Sequence, residues 1–200
     1  MGIDFAYDEG QTPLDEEEKE GLLISTITTR GELDEFEQLN IEKAVEWTLR
    51  RKFKKENILT EEFIKGLHKR MLGEVWRWAG TFRNSNKNIG IDRLQIGIEL
   101  KKLLDDTKYW IEHQSYEADE IAIRFKHRIV SIHCFANGNG RHSRLIADII
   151  ISHLFSMSVY SWDSSNLVKP DEVRKNYLTA IRAADKGNIK LLLAFARTTL

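Results

Sequence analysis

Residues 141–155, RHSRLIADIIISHLF, spread Leu145, Ile146, Ala147, Ile149, Ile150, Leu154 and Phe155 around most of a helix's circumference. A surface helix keeps a polar face, so a helix this apolar has to be wrapped by others. The stretch before it, IAIRFKHRIVSI at 121–132, carries Ile121, Phe125, Ile129 and Ile132 on one side and packs one-sidedly. The pair therefore predicts a helical bundle around a buried central helix that begins near Gly138 to Gly140. Further helices are expected at about 94–113, 170–184 and 187–199.

Toward the N-terminus the same spacing argument continues. Thr12-Pro13 reads as an N-cap and first helical residue after an irregular tail at 1–11, and Pro170 likewise opens a helix. Asn40 is expected to open a helix carrying Ile41, Ala44, Val45, Leu49 and Phe53, with Arg50 to Lys55 as its solvated basic end. Thr60 starts another, with Phe63, Ile64, Leu67, Met71 and Leu72 inward, followed by Trp76 and Trp78 as core anchors. Residues 79–91, AGTFRNSNKNIGI, break the helical period and read as a small β-hairpin or extended loop. The chain is expected to be all-α with that one interruption.

Thirty Lys and Arg against 31 Asp and Glu leave a formal charge of −1, which gives no general drive toward nucleic acid or an anionic membrane. No apolar run approaches a bilayer span, and the acidic N-terminus lacks a signal peptide's basic start. The single cysteine, Cys134, cannot form an internal disulfide and suits the cytoplasm. Neither a nucleic-acid groove nor zinc-ligand spacing is present.

The elbow between the two helices, HCFANGNGRHSR at 133–144, holds the chemistry. A helix start exposes unpaired N–H groups, and glycines let an anion approach the backbone closely. Gly138, Asn139 and Gly140 supply those amides, with the Asn139 side chain as one more donor. Arg141 and Arg144, three residues apart, form a cationic rim suited to phosphates. His133 stands just before this cradle, as a general base for a hydroxyl attacking phosphorus, and Phe135 anchors the loop in the core. No Walker loop is present.

Those residues resemble the Fic domain signature H-x-F-x-[D/E]-G-N-G-R-x-x-R, matched at every fixed position but one. The resemblance runs over about residues 40–200, leaving 1–39 as an N-terminal segment, and takes in IKGLHKRML, WAGTFR and NIGI. The whole chain also resembles the subgroup called mobile mystery protein B. The resemblance implies a Fic-type helical bundle with a β-hairpin flap, and a protein adenylyltransferase that moves AMP from ATP to a Ser, Thr or Tyr hydroxyl with Mg²⁺. His133 would then be the base. Asn139 would lie near the α-phosphate, Arg141 on the β-phosphate and Arg144 on the γ-phosphate. Flap residues Asn86, Lys87, Asn88, Ile89 and Gly90 would hold the target as an extended strand.

The departure is Asn137, where the family has an acid for Mg²⁺; an amide oxygen is a weaker ligand. Family members are often restrained by a helix with [S/T]-x-x-x-E-[G/N], whose glutamate meets the second signature arginine. Here Thr28 to Glu32 fits the first half but Leu33 follows, and Glu37 has Leu33 where the hydroxyl belongs. Either Glu32 or Glu37 is expected to pair with Arg144, against the plain reading that both are solvated acids. Transfer of UMP, phosphate or phosphocholine, or a nucleotide-binding interaction module, are the competing functions. The partners in question are a target protein with a hydroxyl side chain, an antitoxin-like regulator and a second copy of the chain.

Overall fold

The computed structural model describes residues 13–162 and 170–198; the expected tail at 1–11 and the Thr12 cap lie outside them. The elements in chain order are α1 (Glu16–Lys19), α2 (Arg30–Arg50), α3 (Lys55–Ile58), α4 (Glu61–Leu72), α5 (Ile96–Glu112), α6 (Ala118–Ile132), α7 (Asn139–Ile149), α8 (Pro170–Asp185) and α9 (Lys190–Ala196). A short 3-10 turn leads into α5, and α7 runs on as a π-helical turn over Ile150–Leu154.

α7 is the buried axis. Leu145, Ile146, Ala147, Ile149, Ile150 and Ile151 are all sealed from solvent, with α6 along one flank and α4 on another. Trp76, Phe125 and Phe135 are among the largest side chains in this core. Each such ring removed from water contributes on the order of 2 to 3 kcal/mol before entropy is counted. Among the described residues, no helix is long and apolar enough to cross a membrane.

Three expectations are corrected. α1 begins at Glu16 behind an Asp15 capping box, three residues after Pro13, because Asp15 and Glu18 satisfy each other's backbone N–H groups. α2 begins at Arg30, not Asn40: Thr29 accepts from Glu32 N, and the Glu32 carboxylate reaches back to Thr29 N. The hairpin is absent. Residues 79–91 form an irregular loop, and the one β-bridge among the described residues joins Leu22 to Trp76. Cross-strand pairing is replaced by the Arg83 side chain, which donates to Ser85 O at 2.8 Å and to Ile91 O, tying the loop's ends together.

Other expectations hold. Thr60 caps α4 through Phe63 N, and Pro170 is the first residue of α8. The run from Arg50 to Lys55 is exposed apart from Phe53. Leu39 and Leu49 face outward from α2 at 55% and 75% exposure.

Candidate active site

The elbow between α6 and α7 is built by two left-handed residues. His133 ends α6 with φ 57°, and Gly138 precedes α7 with φ 77°. At Gly138 a Cβ would lie 2.6 Å from Leu72 Cδ1, so both backbone sign and space demand glycine. The N-cap has no side-chain partner. The first N–H to find an intrahelical acceptor is His142 N on Gly138 O at 2.9 Å, which leaves Asn139, Gly140 and Arg141 presenting theirs at the helix start. A Cβ on Gly140 would meet nothing within 4 Å: this end is open.

Two expected donors are differently employed. The Asn139 side chain is buried and turned into the elbow, where Oδ1 accepts from Phe135 N at 3.0 Å and Nδ2 donates to Phe135 O at 2.8 Å. It shapes the loop and does not reach toward a ligand. The Gly138 N–H is taken by Asn137 Oδ1 at 2.5 Å, so the free amides begin one residue later than expected.

His68 of α4 is a residue that motif reading passed over. Its Nδ1 accepts from Gly80 N at 3.0 Å, so the proton sits on Nε2, which donates to Asn137 O at 3.0 Å. The ring stacks on Phe135 at 3.7 Å between centroids and couples the cradle to the start of the flap loop. Burial holds it well below the ordinary imidazole range, so it stays neutral. The sequence signal available was a histidine on the apolar face of α4 beside Leu67, Met71 and Leu72.

His133 is 5% exposed. Desolvation pushes its pKa down to about 4, opposed by a hydrogen bond the ring donates to the Val130 backbone carbonyl and reinforced by the charges of Arg83 and Lys87. The imidazole is therefore neutral near pH 7 and able to accept a proton. The flap lies directly on it. A Cβ on Gly90 would stand 2.5 Å from His133 Cβ, and φ at Gly90 is +97°. Arg83 fixes this contact through Nε on His133 O at 2.7 Å and N on Cys134 O at 3.0 Å.

Around the flap, Asn88, Ile89 and Gly90 are exposed, and the main chain of 86–90 makes no backbone–backbone hydrogen bond among the described residues. Asn86 is occupied otherwise: its amide donates to Asp92 and accepts from Arg93 N. Lys87 is turned inward onto α1, where it pairs with Glu18 and with Asp15 at 3.1 Å. Cys134 is fully buried, and desolvation pushes its thiol up to about 12, which rules it out as a nucleophile.

The arginines part company. Arg141 Nη2 meets Glu37 Oε2 at 2.6 Å, and Glu37 Oε1 accepts from Trp76 Nε1 at 2.6 Å. Arg144 instead lies 5.3 Å over the Tyr177 ring with Nε toward Gly140 O at 3.4 Å. Glu37 is thus the acid at the cradle, and its partner is Arg141 and not the expected Arg144. Glu32 is exposed and spends its carboxylate on Thr28 and Thr29 as a helix cap. A T-x-x-x-E match there reflects capping chemistry.

The residues do not fit a protein-held Mg²⁺. The expected ligand is the neutral Asn137, its oxygen already accepts from Gly138 N, and no group of three or more His, Cys, Asp or Glu that could hold a metal occurs among the described residues.

Residues 58–151 match the profile of the Fic/DOC family. The chain is similar to the BepC protein of Bartonella tribocorum, a VirB-translocated effector solved with bound AMPPNP, at 18% identity and a TM-score of 0.67 over 90% of this chain and 96% of that one. It is similar to the N-terminal Fic domain of a cell filamentation protein from Bartonella quintana, solved with bound ADP, at 18% identity and a TM-score of 0.64 over 86% of each chain. Fic-1 from C. elegans matches at 20% identity and a TM-score of 0.63 over 88% of this chain, which spans only 50% of the worm chain. The architecture is the Fic fold, and the family's profile lies over the stretch that builds the cradle.

Proposed function

We propose that the chain is a protein adenylyltransferase of the Fic type, restrained by Glu37. The observation that carries the reading is a buried, neutral imidazole at residue 133 one tight elbow away from an open helix start whose first turns carry Arg141 and Arg144. His133 takes the proton of a target hydroxyl. The resulting oxygen attacks the α-phosphorus of ATP, a P–O bond forms, and the bond to the β-phosphate oxygen breaks with release of diphosphate. Developing charge on the phosphoryl oxygens is met by the N–H groups of Asn139, Gly140 and Arg141 and by the guanidinium groups. The unpaired main chain at 86–90 suits a target segment held in extended form beside His133.

In the form described, Glu37 occupies Arg141, so the cradle is partly neutralised before any nucleotide arrives. This favours an autoinhibited resting state. The nucleotides in the Bartonella structures support a nucleotide as the ligand class.

The test is transfer of label from ATP to protein, with α- and γ-labelled nucleotide in parallel. Label from the α position, reduced by about 10² to 10⁴ in His133→Ala, is the expected result for a positioned general base. Label from the γ position alone would reassign the reaction to phosphate transfer. No transfer from either, in a variant with Glu37 neutralised, would reject the enzymatic reading.

A further inference from the structure

Position 137 meets the cradle with an amide instead of an acid, and the structure fixes how that amide is used. The Asn137 backbone is held by His68 Nε2 on its carbonyl at 3.0 Å. Its side-chain oxygen accepts from Gly138 N at 2.5 Å. An N–H facing the side chain demands an acceptor, so the oxygen's orientation follows from chemistry. What remains on this half-buried side chain, one residue before the N-cap Gly138, is Nδ2, a donor of two hydrogens. A divalent cation needs oxygen lone pairs, whereas a phosphate needs N–H groups.

The surroundings point the same way. Arg141 stands beside the cradle on Glu37, Arg144 lies over the Tyr177 ring with Nε toward Gly140 O, and the amides of Asn139, Gly140 and Arg141 open the helix start. The acid at its mouth, Glu37, is committed to Arg141 and Trp76. A carboxylate at 137 would set negative charge against a polyphosphate and call for a cation between them. The amide removes that conflict and can touch the phosphate directly.

We propose that the cradle takes its nucleotide phosphates without a divalent cation held by the protein, Asn137 Nδ2 donating to a phosphate oxygen. This rests on the nucleotide reading above, and it assigns Asn137 as a ligand-binding residue with the metal-free polyphosphate as its ligand class. The cationic charge that Mg²⁺ would supply comes from Arg141, Arg144 and the helix start.

The experiment is calorimetric titration of ATP into the full chain, wild type and Glu37→Gln, with Mg²⁺ or with EDTA. Affinity in Glu37→Gln is expected to agree within about threefold between the two conditions. Asn137→Asp should lose about tenfold or more in EDTA and recover with Mg²⁺, since it restores both the repulsion and the cation ligand. Asn137→Ala, which removes the donor without adding charge, should weaken binding several-fold in both conditions and gain no response to Mg²⁺. Binding that falls tenfold when EDTA replaces Mg²⁺ in the Asn137 protein, or an Asn137→Asp variant indifferent to Mg²⁺, would overturn the proposal while leaving the nucleotide reading standing. No ATP binding in Glu37→Gln under either condition would overturn both.

Discussion

At the scale of single residues, the decisive contact is Glu37 on Arg141, sealed on its far side by Trp76 Nε1. Glutamine is nearly isosteric with glutamate and still accepts from the indole, but it carries no charge to hold the guanidinium. Glu37→Gln is therefore expected to raise label transfer by about 5- to 150-fold, the range of ordinary coupling free energies, with little change in melting temperature. A Glu32→Gln variant should leave transfer unaltered, because Glu32 serves the N-cap of α2. His133, Gly138 and the arginines were readable in the sequence because twelve consecutive residues carry them. The partner of Arg141 was not, because it depends on where α2 crosses the cradle. Asn139 misled for a related reason: a side chain in a tight elbow spends its hydrogen bonds on the nearest backbone, here Phe135 at both ends.

Among the elements, the flap is the part that pattern reading mistook. Thr81-Phe82-Arg83 and Asn88-Ile89-Gly90-Ile91 alternate like strands, yet Arg83 spends its donors on Ser85, Ile91 and His133 and leaves no ladder. Burial lowers the pKa of its guanidinium, in keeping with a cation held by carbonyls inside the protein. Lysine keeps the charge but not the fork geometry. Arg83→Lys should lower label transfer about tenfold, the loss of one charge-assisted hydrogen bond of about 1.5 kcal/mol, while ATP affinity stays the same. A parallel fall in ATP affinity would show that Arg83 supports the cradle as a whole and not the flap's seat on His133. The start of α2 was legible after all, in the Thr29-x-x-Glu32 capping box, but the periodicity from Ile41 onward drew attention past it. The α4 cap at Thr60 and the apolar run of α7 needed only local sequence, which is why both were found.

For the molecule as a whole, the buried imidazoles of His68, His133 and His142 set the response to acid. Burial holds His133 and His142 at about 4, against an ordinary 6.5, and His68 well below it. An unfolded chain takes up protons on these rings below about pH 6.5, whereas in the folded chain His133 and His142 stay unprotonated until about pH 4 and burial acts on His68 in the same direction. The unfolded state thus binds more protons in that window, and stability falls as pH drops through it. At about 1.4 kcal/mol per pH unit, His133 and His142 each account for roughly 3 kcal/mol across the window. Asp148 has the opposite sign: burial raises it to about 6, so the folded state protonates first and offsets about one ring. Urea midpoints are expected to hold steady near neutral pH and decline steadily toward pH 4; a midpoint that rose on acidification would contradict this balance. In the reaction proposed, His133 acts as the neutral ring, so the acid limb of label transfer should likewise sit nearer pH 4 than 6.5. The sealed thiol of Cys134 has a practical corollary. It is the sole cysteine in the chain, and its burial is expected to shield it from maleimides in the folded state. A second cysteine introduced on the exposed tip of the flap would accept a fluorophore selectively, and target capture could be followed there in real time on an otherwise unaltered background.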